Sequence, residues 1–188
     1  MIMNHEVVIN KGEWVKKGDE EVISVCGLPK QYLVKYQVYK HNDRDKHYWE
    51  QIEINILKNN EQFLTIGRNY SSIVQPIYAR QNGKDFLITS GDYMCITIVN
   101  LTDGTVESYT DEDAYKEGGA YCPICFTSWD DETSTLQFKG CVWGGEYYLI
   151  TFTGVDLECP IFDFYKAKYE LDESEEEYDD DYEEEMYD

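Results

Sequence analysis

No stretch of this chain approaches the roughly 18 apolar residues that a membrane-spanning helix needs. His5 and Glu6 interrupt the first apolar residues after Met1, so we expect no secretory signal. The six cysteines are scattered along the chain. Without a secretory context we interpret them as reduced thiols. These absences together predict a cytoplasmic protein.

Catalytic motifs are lacking as well. The chain has no G-x-S-x-G elbow, no P-loop and no G-x-G-x-x-G. His5, His41 and His47 all lie in the N-terminal quarter, outside any motif that would pair them with a nucleophile. Carboxylates are so numerous that a neighbouring pair such as Asp130 and Asp131 indicates nothing by itself. We therefore expect no enzyme and no cofactor, with a hydrolase that uses an unidentified carboxylate site as the third alternative.

Cysteine supplies the strongest local motif, Cys122-Pro123-Ile124-Cys125. A C-x-x-C pair can supply half of a tetrahedral zinc site or form a redox couple. Zinc would need Cys141 and Cys159 to converge on the pair. A redox couple would need a helix to follow the first cysteine, whereas a β pattern follows it here. We expect structural thiols and no metal.

A second candidate metal cluster lies between His41 and His47. If this segment is extended, His41, Asp43, Asp45 and His47 share one face, and all four are metal-ligand types. The segment joins two strong strand patterns, however. A solvated hairpin loop is the simpler interpretation.

Alternating apolar and polar residues predict the fold class. Tyr32–Tyr39 and Gln51–Ile56 place apolar side chains at every second position, as half-buried strands do. The further strand candidates are residues 22–25, 63–66, 73–79, 86–89, 95–100, 106–109, 124–129, 135–139, 147–153 and 161–169. The pattern predicts an all-β protein.

Turn residues separate several of these candidates. Asn82-Gly83 and Asp103-Gly104 each stand between two strand patterns and favour the positive φ that tight hairpins need. One short helix is predicted from a Thr110 cap, with Asp111–Asp113 in its first turn and Gly118 at its end. The connections predict an antiparallel meander.

A faint internal repeat is present. Its positions are Phe86, Ile88, Tyr93 and Ile98, matched fifty residues later by Leu136, Phe138, Trp143 and Tyr148. This spacing is typical of propeller blades. The second half, from Ser128-Trp129-Asp130-Asp131 to Phe162-Asp163-Phe164, also resembles β-propeller-like blade repeats of uncharacterised bacterial proteins. That resemblance implies a fold and no activity. We expect a β-sandwich or a partial propeller-like sheet stack, with a closed propeller as the alternative.

Charge is the feature that points to a partner. Residues 1–170 form the predicted β domain, with sixteen basic and twenty-six acidic side chains. Residues 171–188, the acidic tail, add twelve acidic side chains and no basic one. Such a surface disfavours direct binding to nucleic acid or to anionic membranes and favours a basic protein.

The acidic tail is the predicted partner-binding segment, with tyrosines as anchors among its carboxylates. The predicted binding residues are Glu175, Glu176, Glu177, Tyr178, Asp179, Asp180, Asp181, Tyr182, Glu183, Glu184, Glu185 and Tyr187. The favoured function is an inhibitor or immunity-type protein whose carboxylates occupy a nucleic-acid-binding groove of a nuclease or similar protein. The alternative is a blade-type scaffold that binds through its loops, with a tail that only solubilises it.

Overall fold

The computed structural model describes residues 13–43, 50–68, 74–90, 95–109, 121–142 and 145–172. Within these ranges the regular structure consists of strands, and no helix is long and apolar enough to cross a membrane. The strands are β1 Trp14–Ile23, β2 Tyr32–His41, β3 Glu50–Lys58, β4 Glu61–Arg68, β5 Ile77–Gln81, β6 Lys84–Thr89, β7 Ile96–Asn100, β8 Val106–Tyr109, β9 Tyr121–Asp130, β10 Thr135–Val142, β11 Tyr147–Phe152 and β12 Lys168–Leu171.

The described strands form three sheets, each an antiparallel meander of four consecutive strands. The first sheet contains β1–β4, the second β5–β8 and the third β9–β12. The predicted all-β meander is therefore confirmed. The short helix predicted from Thr110 to Gly118 lies outside the described residues.

Three strand predictions were clearly wrong in their bounds. The strand predicted over residues 73–79 is β5 Ile77–Gln81, and residues 74–76 are not a strand. β1 starts at Trp14, eight residues before the predicted strand at Val22, and a bulge shifts its register between Lys17 and Glu21. At the other end, only Lys168–Leu171 is a strand, and residues 161–167 are not. The alternating aromatics there come from a loop that inserts them into the core.

Hairpin turns use the residues that tolerate a left-handed backbone. Asn82 and Gly83 have φ values of 53° and 78°, which confirms the predicted tight turn. In the Asp103-Gly104 turn only Gly104 has a positive φ, at 87°. The Asp103 carboxylate instead accepts a hydrogen bond from the Thr105 amide at 2.9 Å.

The second sheet is buried on both faces and holds the other two together. β6 and β7 carry nearly continuous buried runs, as strands covered on both sides do. Leu87, Val99 and Leu101 pack with the first sheet, whereas Phe86, Ile88, Ile96 and Ile98 pack with the third. The Tyr32 hydroxyl also donates to the Leu101 carbonyl at 2.7 Å, and Arg68 Nη1 donates to the Ser90 carbonyl at 3.2 Å. The fold is a stack of three sheets with two apolar cores.

The internal repeat relates the second sheet to the third, at an offset of fifty-one residues. Leu87 lies opposite Val99, and the equivalent pair is Phe138 opposite Ile150. Both pairs face the preceding sheet of the stack. The fifty-residue match connects the correct strands but exchanges their faces, because neighbouring strand residues point to opposite sides.

The outer face of the first sheet is polar. Asn55 Nδ2 donates to Glu20 and Glu53, and its Oδ1 accepts from Thr65 at 2.9 Å. Buried Gln37 donates to the Gly18 carbonyl at 3.2 Å inside the β1 bulge. These hydrogen bonds pair amide groups on a face that no other described sheet covers.

The outer face of the third sheet is polar in the same way. Gln137 Nε2 donates to Thr151 Oγ1 at 3.2 Å and its Oε1 accepts from Ser128. Lys139 pairs with Asp172 at 2.9 Å and lies over the Tyr147 ring. Stacked repeats end where the outer face becomes polar. Both ends of this stack have that property.

Candidate interaction surface

The predicted binding residues of the acidic tail lie outside the described residues, since the description ends at Asp172. The start of the tail belongs to the third sheet. Leu171 pairs with Tyr148 at the end of β12, and the Asp172 amide donates to the Tyr147 carbonyl at 2.9 Å. Any truncation that tests the tail should therefore leave Asp172 in place.

Several hairpin turns of the second and third sheets adjoin one another at one end of the stack. The Arg80 amide donates to Asp131 Oδ1 at 3.3 Å, and Gln81 Nε2 donates to Ser134 Oγ at 2.9 Å and to the Val155 carbonyl at 2.8 Å. We call this region the turn end. Its carboxylates are Asp85, Asp103, Asp130, Asp131, Asp156 and Glu158.

Lys84 lies among the carboxylates of the turn end. It forms an ion pair with Glu158. Its pKa is raised, mainly by the hydrogen bond to Glu158 and further by the charges of Glu158, Asp103 and Asp156. The carboxylates of the β7–β8 turn and of the segment after β11 therefore act on one cation, so the turn end is acidic overall.

Asp130 and Asp131 both accept hydrogen bonds around the β9–β10 turn. Asp130 accepts from the amides of Glu132 and Thr133, and these backbone hydrogen bonds lower its pKa. Asp131 accepts from Trp129 Nε1 at 2.5 Å. A general acid needs a raised carboxyl pKa. The carboxyl pKa values of Glu20, Asp103, Asp130 and Asp163 are all lowered, so these four groups lack that property.

Tyr78, in the turn end, should make the stability of the fold depend on pH in the alkaline range. Its hydroxyl donates to Asp85 at 2.6 Å, and burial together with this bond raises its pKa to about 12. The unfolded value is about 10, so the folded state holds the proton more tightly between these values. We expect stability to fall as pH rises from about 10 to about 12, and to fall less in Tyr78→Phe. Urea unfolding of both proteins across this range measures the free energy of unfolding. The difference between the two proteins isolates Tyr78, because they share all other tyrosines. Parallel curves for the two proteins would contradict this expectation.

The C-x-x-C motif lies within β9, which continues as a strand to Asp130. Cys141 of β10 is opposite Cys122 in the strand register, whereas Cys125 and Cys159 are exposed. Within the described ranges, no three His, Cys, Asp or Glu residues group as a metal site requires. In the second candidate cluster, His41 contacts Trp14 edge to face and accepts from the Asp43 amide. Residues 44–49 are outside the description.

Sequence reasoning missed the segment from Thr153 to Ala167, which we call the anchored loop. It connects β11 to β12, and the acidic tail begins at the last residue of β12. Val155 and Leu157 are buried, while Ile161 and Tyr165 are 81% and 74% exposed. The signal was present in Pro160 and Asp163, which favour turns within an apparent strand pattern.

Charge is distributed unevenly along the stack. Residues 1–68, which include the first sheet, contain ten basic and ten acidic side chains. Residues 69–188 contain six basic and twenty-eight acidic side chains. The whole net charge of −22 therefore arises from the part of the chain that forms the second and third sheets, their connections and the tail.

Comparisons of the chain with protein-family models, curated proteins and solved structures found no match.

Proposed function

We propose that this chain is a non-catalytic acidic binding protein that occupies a basic surface of a partner protein. The observation that carries the proposal is the uneven charge: residues 69–188 hold an excess of twenty-two acidic side chains, and residues 1–68 hold none. Such a field attracts a cationic protein and orients it toward one side of the stack.

The partner class follows from the same charge. A surface that binds phosphates, such as the groove of a nuclease or another nucleic-acid-binding protein, presents lysines and arginines in an extended row. The acidic tail and the turn end would place carboxylates where phosphates bind. This corresponds to an inhibitor, an immunity-type protein or a nucleic-acid mimic.

Binding should depend on the tail through two different rate constants. Carboxylates act mainly on association, because the field acts before contact, whereas buried tyrosines act on dissociation. We expect replacement of the acids at 175–177 and 179–181 by their amides to slow association and flatten its salt dependence. Changing Tyr178, Tyr182 and Tyr187 to Ser should speed dissociation.

The test compares the full chain with a chain that ends at Asp172. Each is used to capture partners from the native source cell, and binding of the purified partner is then measured against salt. We expect a basic partner, strong loss of affinity with salt and little binding by the short chain. An unchanged thermal midpoint shows that the short chain is folded. Full binding by the short chain would disprove the role of the tail.

One observation favours the alternative, a blade-type scaffold that binds its partner through its own loops. The exposed apolar side chains of the anchored loop lie on the body rather than in the tail. Binding that resists salt and survives tail removal would support this alternative.

A further inference from the structure

The anchored loop is held firmly by the body of the protein. Its Val155 amide donates to the Ser134 carbonyl at 2.9 Å, and its Leu157 amide donates to Gln81 Oε1 at 2.7 Å. Val155 and Leu157 belong to the core between the second and third sheets. The first half of the loop is therefore fixed to the turn end by main-chain hydrogen bonds and buried side chains.

The second half of the loop is fixed by aromatic packing. The Phe162 ring centroid lies 5.5 Å from that of Tyr109 and 5.2 Å from that of Phe152, and Phe164 lies 5.0 Å from Phe152. The Tyr169 hydroxyl donates to the Phe164 carbonyl at 2.6 Å. These contacts hold the backbone on both sides of Asp163.

Ile161 and Tyr165 face outward from this fixed backbone. Asp163 Oδ1 accepts from the Tyr165 amide at 3.2 Å, and the Asp163 carbonyl accepts from the Lys166 amide at 3.0 Å. Two large apolar side chains are thus exposed by 81% and 74% on a loop whose alternate residues are packed. Binding them in a partner pocket costs little backbone entropy, because the backbone is already ordered.

The surroundings of these side chains define the partner. Asp156, Glu158 and Asp163 lie in the same loop, against one basic residue, Lys166. The acidic tail begins four residues after the loop. Interfaces commonly bury an aromatic or aliphatic anchor at their centre and place charged pairs at their rim.

We infer that Ile161 and Tyr165 are the apolar anchors of the partner interface and enter an apolar pocket bordered by lysines and arginines on a basic protein. This inference rests on the proposed function, because the basic rim is taken from it. The carboxylates of the loop and tail act on that rim, and the two anchors slow release of the partner.

The first experiment places a photoreactive phenylalanine analogue at position 165 or, as control, at position 22. Val22 is 61% exposed and lies on β1, within residues 1–68, which carry no net charge. Illumination in a lysate of the native source cell should give an adduct with a basic protein from position 165 and none from position 22. Adducts from position 22 alone, or from neither position, would overturn the inference.

The second experiment measures binding of that purified partner to Ile161→Ser, Tyr165→Ser and the control Val22→Ser. We expect at least about tenfold faster dissociation for Tyr165→Ser, a smaller effect for Ile161→Ser and none for Val22→Ser. Association should stay unchanged, since no charge is altered. Thermal midpoints close to that of the wild type show that the variants are folded.

The two proposals fail in different ways. Suppose that the chain ending at Asp172 loses binding but the loop variants keep wild-type dissociation. The anchoring role of Ile161 and Tyr165 is then refuted, and the proposed binding of a basic partner by the acidic tail is supported. If the loop variants release faster but salt and tail removal have no effect, Ile161 and Tyr165 contact the partner, but the proposed function and the basic rim of the pocket are both refuted.

Discussion

Replacing Phe138 with alanine should destabilise the fold by about 3–5 kcal/mol. Phe138 is fully buried between Phe126 and Phe152, with ring centroids 5.9 Å and 6.0 Å away. It stands at the repeat position of Leu87 and faces the second sheet. Alanine would remove most of a side chain that fills the junction of two sheets, and the stacked strands cannot collapse into the gap.

Urea unfolding measures this loss, and Leu149→Ala supplies the control. Leu149 lies on β11 next to the fully buried Ile150, and strand alternation turns it toward the outer face of the third sheet. We expect its loss to cost less than about 2 kcal/mol, because its side chain is already half exposed. Equal losses from the two variants would show that the third sheet is not packed through the Phe138 face.

Strands could be predicted from the sequence because their signal is local. Gln51–Ile56 alternates strictly and Tyr32–Tyr39 has an apolar residue at every second position, and both lie within the bounds observed for β3 and β2. The first eight residues of β1 were not predicted, because Lys16, Lys17, Asp19, Glu20 and Glu21 make them polar. β1 is an edge strand, and only one of its sides pairs with β2. Edge strands often carry charge for this reason.

Turn prediction succeeded where glycine marked the turn. Asn59 and Asn60 form the β3–β4 turn with φ values of 54° and 67°, yet no glycine indicates it. Asparagine tolerates this conformation better than most residues, so Asn-Asn between two alternating runs was a usable signal.

The interaction surface was predictable only in part. Total charge and the acidic tail can be counted from the sequence. The balanced charge of residues 1–68 gains meaning only when the strands β1–β4 within this range are seen to form one sheet at an end of the stack. The anchored loop needed tertiary information, because Ile161, Phe162, Phe164 and Tyr165 are all large side chains that a strand pattern would accept in the core. Packing alone decides that the phenylalanines turn inward and the other two outward.

The exact offset of the internal repeat could not be predicted from the sequence either. Residues fifty apart match in hydrophobicity, since apolar side chains occur on both faces of the central sheet. The strand register selects fifty-one, which pairs Leu87 with Phe138 and Ile88 with Lys139. This alignment explains why the stack ends. Phe86 and Ile88 of the second sheet pack against the third sheet. The equivalent residues of the third sheet are Gln137 and Lys139, which are polar.

Replacing the polar residues on the outer face of the third sheet with their apolar equivalents from the second sheet should therefore make the protein self-associate. The variant combines Gln137→Phe and Lys139→Ile, the residues found fifty-one positions earlier. It creates an apolar surface on the outer face of the third sheet. Burying this surface against a second copy of the protein is favourable. Loss of Lys139 also adds one unit of negative charge, which opposes association, so self-association would have to come from apolar burial.

Sedimentation velocity at several concentrations compares this variant with the wild type and with a control that combines Gln137→Thr and Lys139→Thr. The control removes the same hydrogen bond and the same ion pair to Asp172, yet keeps a polar face and good strand propensity. We expect larger, concentration-dependent species for the apolar variant alone. If the control associates equally, the lost Lys139 contacts are responsible. If the apolar variant keeps the wild-type size at every concentration, polarity of the outer face is not what ends the stack at three sheets.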